Sequence, residues 1–207
     1  MELITDYSQP EFYRFSRDSI ELADSVVNYL LAKTINPETI ADLCCGCGVI
    51  SLEIIQKLSN KVSLNTTSLD LYELQEEYLE HIENNIDQLR KYLPSIKFKT
   101  QICNILDDSN LATNSYDLIV MNPPYFNQAS GRSALDERTR KCREYKDGQF
   151  EALLKKGAEL LAPKGYFFFV CREDKDTKNV ISNISKNYSI ERLDQTNAFS
   201  IFLLFRS

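Results

Sequence analysis

Two hydrophobic rhythms alternate along this chain. Thr39 to Leu43, Thr66 to Leu71, Lys97 to Cys103 and Tyr116 to Met121 are short runs with strand character, and Tyr166 to Cys171 is almost wholly apolar. A run of that last kind fits a strand buried on both faces. Between the runs, apolar residues recur at helical spacing over Val49 to Leu58, from about Glu73 to Tyr92 before Pro94, and over Gln149 to Leu161 before the turn Pro163-Lys164-Gly165. Lys175 to Lys186 is a weaker helix, and Ser189 to Leu193 and Phe199 to Phe205 read as two closing strands. The alternation predicts an α/β fold, a mainly parallel sheet with helices on both faces, and ligands beyond the carboxyl ends of the strands.

Composition narrows the class. With 207 residues and neither repeat, low-complexity tract nor linker, the chain reads as a single domain over 1–207, in which 1–38 form a helical lead-in to the first strand. Hydrophobic residues at 43% and charged residues at 26% exclude disorder and fibrous architecture. Met1 to Tyr13 carries Glu2, Asp6 and Glu11 without an apolar core, and no stretch is long enough to span a bilayer, so the expectation is a cytoplasmic protein with no membrane partner, a monomer or weak homo-oligomer. Cys44, Cys45 and Cys47 crowd together, yet no second pair has zinc spacing and His81 is the only histidine, so no metal is expected. The net charge of -6 leaves nucleic acid to be attracted by a local patch rather than by the whole molecule.

Asp42-Leu43-Cys44-Cys45-Gly46-Cys47-Gly48 follows the first strand and opens a helix. Gly46 and Gly48 permit a sharp turn and close approach of a ligand. Ser51 stands where a dinucleotide fingerprint has its third glycine, and no Gly-Lys-Ser/Thr follows, which excludes a P-loop. The carboxylate of Asp42 suits an amino-bearing ligand, Asp70 ends the predicted second strand where an acid can accept from ribose hydroxyls, and Asn104 offers an amide to an adenine edge. Singly, each has a bland alternative: a turn residue, a helix cap and an Asx-turn. In this order they favour a sulfonium that carries adenosine.

Asn122-Pro123-Pro124-Tyr125 closes the fourth strand. The prolines fix their own φ and extend the residues before them, and neither has an N–H. The loop therefore presents two acceptors, the Asn122 side-chain oxygen and the Pro123 carbonyl. A planar NH₂ is a poor nucleophile, and two fixed acceptors can align it and stabilise the charge that develops on attack. Tyr125 offers a stacking face that Phe126 and Pro124 extend.

The two loops together resemble class I methyltransferases of the amino-group type, and in particular the bacterial tRNA adenine-N6 enzymes of the small-domain superfamily. Tyr13 to Ala23 is similar to the segment that covers the donor in that family, and the resemblance extends over roughly residues 13 to 171. It implies a Rossmann-like, seven-stranded sheet with one antiparallel strand and S-adenosyl-L-methionine as cofactor. The implied donor pocket is made by Asp18, Asp42, Cys44, Gly46, Gly48, Asp70, Leu71, Asn104, Ile105 and Asn122, and the catalytic set is Asn122, Pro123 and Tyr125. Two positions depart from the family pattern: Cys44 replaces the first loop glycine, and Asn104 the acid usual after the third strand.

Arg132, Arg138, Arg140, Lys141, Arg143 and Lys146 follow the acceptor loop, against Asp136, Glu137 and Glu144. This local positive excess fits phosphates beside a target base, with Arg132, Arg138 and Arg140 as substrate contacts and RNA, tRNA above all, as the partner. Glutamine-N5 methylation of a protein is the alternative, although about thirty-eight residues before the first strand are too few for the substrate domain those enzymes carry. A non-catalytic binding module is a third, kept open by Cys44 and Asn104.

Overall fold

The computed structural model describes residues 4–109, 111–124, 126–128 and 136–206. Its strands are β1 (Thr39–Leu43), β2 (Ser68–Glu73), β3 (Lys97–Ile102), β4 (Tyr116–Met121), β5 (Phe126–Asn127), β6 (Glu144–Tyr145), β7 (Leu161–Cys171), β8 (Ser189–Gln195) and β9 (Ser200–Phe205). Its helices are α1 (Arg17–Lys33), α2 (Val49–Ser59), α3 (Leu79–Arg90), α4 (Glu137–Arg143), α5 (Gln149–Leu160) and α6 (Lys175–Ile184).

Seven strands form one sheet in the order β3-β2-β1-β4-β7-β9-β8, and β5 pairs separately with β6. The neighbours from β3 to β7 are parallel, whereas β9 runs antiparallel to both β7 and β8. The fold is thus the Rossmann-like methyltransferase architecture, with β9 as its one reversed strand. The chain steps outward from β1 to β3 and then returns to β4 on the other side of β1. Strand order reverses there, which opens a crevice at the carboxyl ends of β1 and β4.

Alternation along the strands divides the core. Ile40, Leu69, Leu71, Leu118, Val120 and Phe168 pack with α1, α2 and α3 on one face. Ala41, Leu43, Ile119, Met121, Phe167 and Phe169 pack with α5 and α6 on the other. α2 is buried almost all round because α1 lies over it. Residues ahead of α1 are strapped across α2 and α3: Tyr7 donates to Glu53 (2.8 Å) and accepts from Gln56 (2.6 Å), and Asn85 both accepts from Ser8 N and donates to Ser8 O. None of the helices among the described residues is long and apolar enough to cross a membrane.

The boundaries depart from the pattern in three places. β2 starts two residues later than its apolar run and reaches Glu73, so the helix expected from Glu73 begins instead at Leu79, after a 3₁₀ turn at Glu76–Tyr78. β7 begins at Leu161 and absorbs the Pro163-Lys164-Gly165 turn. α4 occupies a segment whose turn-forming composition had no helical signature.

Candidate active site

The crevice is an open cleft of about 1080 Å³ at the carboxyl edge of β1, β2, β3 and β4, with the start of α1 and one face of α4 above it. The loop after β1 forms its floor. Cys44, Gly46 and Gly48 all take positive φ (60°, 56° and 81°), which turns the chain within five residues into α2. Cys44 therefore holds a left-handed conformation that a glycine would adopt without a Cβ clash. A Cβ on Gly48 would meet Leu71 Cδ2 at 2.8 Å, so this glycine serves the packing of the loop on β2.

Several expected donor residues do line the cleft: Asp18, Cys44, Gly46, Asn104, Ile105 and Asn122. Gly48, Asp42, Asp70 and Leu71 do not. Asp42 shares its face of β1 with Ile40, points toward α2, and accepts from Ser51 Oγ (2.6 Å) and Ser51 N (3.3 Å). Complete burial pushes its carboxyl up to about 7, while its other oxygen has no partner among the described residues. Leu71 is fully buried beneath Gly48. Asp70 lies inside β2 and accepts from Tyr116 Oη at 2.7 Å, with Tyr116 also joined to Tyr72 at 2.6 Å.

Of the acids on β1 and β2, it is Glu73 that lines the cleft. Its Oε2 accepts from Gly46 N (2.8 Å) and its Oε1 from Gln75 N (2.9 Å), so it ties the β1 loop to the end of β2. Burial raises its pKa, opposed by those backbone donors. Leu74 follows, 49% exposed and in the cleft wall, and Gln75 Oε1 is a buried acceptor without a partner among the described residues. An acid, an apolar face and an unused acceptor are what a ribose with a purine would engage. The signal that identifies Glu73 is the register: Leu43 pairs with Tyr72, so the residue level with the turn at Cys44 is Glu73.

Asn104 reaches the wall, but its amide is engaged locally, donating to Asp107 (2.6 Å) and accepting from Leu106 N (3.2 Å). This is the Asx-turn alternative.

Asn122, Pro123 and Pro124 border the same cleft. Asn122 Nδ2 donates to Ser19 Oγ at 3.1 Å, which puts the amide oxygen on the other branch of the side chain. Ser19 is itself held at the start of α1, where Asp18 Oδ1 accepts from Ser19 N (2.8 Å) and Ser16 Oγ (2.6 Å). Ser19 escaped the sequence reading, although it falls within the Tyr13–Ala23 segment. Tyr13 and Phe15 of that segment also line the cleft, and burial holds the Tyr13 hydroxyl at about 12. Tyr125 and Arg132 lie outside the described residues.

α4 closes the cleft, with Lys141 and Cys142 in its wall. Cys142 Sγ meets Gln75 Nε2 (3.1 Å) and Tyr78 Oη (3.3 Å), and Thr139 donates to the Phe12 carbonyl (3.0 Å). The expected substrate arginines of this helix sit elsewhere. Arg138 is paired with Asp136 (3.0 Å) and lies 4.8 Å over the Phe12 ring, and Arg140 is half-buried with Nε unpartnered among the described residues. Neither borders the cleft. Phe126 also stands outside the cleft wall, with the guanidiniums of Arg143 and Arg172 each 5.1 Å from its ring centre. No cluster of potential metal ligands occurs among the described residues.

This architecture and cleft belong to the class I methyltransferase type. The chain is a member of the Methyltransferase small domain family, which it matches over residues 13–203. It is similar to the tRNA1(Val) (adenine(37)-N6)-methyltransferase of Vibrio cholerae, 27% identical over 176 residues that cover 76% of this chain and 64% of the relative. It is also similar to the release factor glutamine methyltransferase of Clostridium botulinum, 26% identical over 84% of this chain and 59% of the relative. The chain thus spans about three fifths of the length of these curated relatives. Among solved structures it shares its fold with a putative class I S-adenosylmethionine-dependent methyltransferase of Listeria monocytogenes, with a TM-score of 0.66, 19% identity, and coverage of 97% of this chain and 63% of the other.

Proposed function

We propose that the protein is an S-adenosylmethionine-dependent N-methyltransferase whose acceptor is adenine N6 in RNA. One observation carries the reading: Asn122 and Pro123 share a single cleft with Glu73, Leu74 and Gln75, so an acceptor loop and a nucleoside-type pocket open onto one space. The residues present fit the cofactor, since Gln75 supplies an unused buried acceptor, Leu74 an exposed apolar face and Glu73 a carboxylate for ribose hydroxyls. When bound, S-adenosylmethionine would supply an electrophilic methyl group on a sulfonium, with a neutral thioether as the leaving group.

The chain's own contribution is placement and charge. The Asn122 oxygen and the Pro123 carbonyl take the two N–H bonds of the planar amino group and stabilise the positive charge that grows on it. The nitrogen then releases one proton to solvent. Ser19, by accepting from Asn122 Nδ2, sets which end of the amide faces the substrate.

The similarity to a tRNA adenine-N6 enzyme supports RNA, and the similarity to a release factor glutamine enzyme supports a protein amide as the second reading. Incubating the purified protein with methyl-labelled donor and either total RNA or protein extract separates them. Label in RNA at N6-methyladenosine is expected, and label in protein alone would replace this reading by the second.

A further inference from the structure

Phe126 is the first described residue beyond the acceptor loop, and it is held in position from three sides. Its strand β5 pairs with β6 in the register Phe126↔Glu144, and Asn127 Nδ2 donates to Asp147 at 2.8 Å. Arg143, at the end of α4 and immediately before β6, and Arg172, the first residue past β7, each place a guanidinium 5.1 Å from the Phe126 ring centre. Both arginines are exposed. Neither has a carboxylate partner among the described residues, whereas Arg138 is paired with Asp136 and Lys141 with Glu137. Of the acids next to these residues, Asp147 takes Asn127, Glu173 takes Arg192 and Ser200, Asp174 caps α6 through Thr177 N, and Glu144 is buried in β6.

Two cations against one ring repel each other, and a stacked guanidinium still offers its edge N–H groups outward. An anion with several acceptor oxygens relieves that repulsion and accepts from both edges. β7 runs beside β4 with Phe169 opposite Met121, so Arg172 leaves the sheet at the level where Pro124 does. Arg172 therefore lies beside the end of the acceptor loop, outside the cleft wall, and Arg143 shares the Phe126 ring with it, in a chain whose overall charge is -6.

We propose that Arg143, Phe126 and Arg172 form a phosphate-binding lip that grips the phosphodiester backbone beside a nucleotide whose base enters the Asn122 pocket. The lip rests on the functional reading above and deepens it. A target base outside the helical stack always carries phosphates on both sides, and a glutamine side chain carries none. The lip thus favours a nucleic acid over a protein acceptor, and it moves the electrostatic contact from Arg138 and Arg140 to two residues on separate elements.

The test is fluorescence anisotropy with a labelled 12-nucleotide single-stranded RNA rich in adenosine, measured across salt concentrations for the full chain and for Arg143→Gln, Arg172→Gln and the double variant. Calorimetric titration with S-adenosylmethionine and a melting curve accompany each protein. Each single change is expected to weaken RNA binding several-fold and to reduce the slope of log affinity against log salt by about 0.7 for every phosphate that is no longer neutralised. Donor affinity and melting temperature stay unchanged. Wild-type RNA affinity and slope in the double variant would overturn the lip, as would labelling of protein extract, but not RNA, that falls in the variants. A protein that fails to bind donor while its lip variants still lose RNA affinity would sink the methyltransferase reading and leave the lip standing.

Discussion

Glu73 and Asp70 are three positions apart on β2, yet only Glu73 meets the cleft. The β1 loop donates a backbone N–H to Glu73, whereas Asp70 faces Tyr116 on the α5 side of the sheet. Glu73→Gln is expected to lower donor affinity about tenfold or more, as the loss of a charged hydrogen-bond acceptor does, and Asp70→Asn to leave it unchanged, both read by calorimetry. Asp42 has a different consequence. Its folded pKa of about 7 stands above the unfolded value, so the folded state holds an extra proton between the two. The stability linked to that proton is complete below the unfolded pKa and is lost as pH rises through about 7. Melting temperature against pH should accordingly fall across this window, and Asp42→Asn should flatten that fall and raise stability at pH 8. An unchanged profile would mean that Asp42 ionises freely.

At the scale of elements, the cleft depends on pieces that are not contiguous in the chain. α3 holds the loop below and the strap ahead of α1 through one buried side chain: Asn85 donates to Cys47 O (3.0 Å) and Ser8 O (2.9 Å) and accepts from Ser8 N (2.7 Å). Asn85→Ala strands those three backbone groups and is expected to cost about 1–3 kcal/mol for each that stays dry, with a parallel loss of donor affinity. Thermal melts and calorimetry on the same variant check it, and a stable variant with intact affinity would show that the loop stands alone. β1, β4 and α2, whose bounds the hydrophobic pattern gave to within a residue, are nearly all buried. α4 escaped because it buries none of its residues and so leaves no apolar stripe to read. The end of β2 escaped for a related reason, since Tyr72 and Glu73 extend the strand through pairing with β1 and β3, which a local pattern does not contain.

On the scale of the molecule, order and spacing of the two loops disclosed the fold and the edge of the sheet where the site lies. That Asn122, Pro123 and Pro124 close β4 in a loop at the cleft was legible because proline chemistry is local. Glu73, Leu74, Gln75 and Ser19 were not, because their place in the cleft follows from sheet register and from α1 lying across the end of β4. Arg138 and Arg140 stand away from the cleft wall for the same kind of reason: charge in a sequence shows how many cations a segment has, and the fold decides which are paired with an acid, as Arg138 is, and which are half-buried, as Arg140 is. In the proposed mechanism Asn122 acts on the acceptor nitrogen and not on the donor. The direct measurement is Asn122→Ala, assayed for methyl transfer to RNA and for S-adenosylmethionine affinity in the same preparation. Transfer should fall by a factor of about a hundred or more, on the order of a lost transition-state hydrogen bond, with donor affinity within about twofold of wild type. Transfer that persists, or a loss of donor affinity as large as the loss of transfer, would contradict the account.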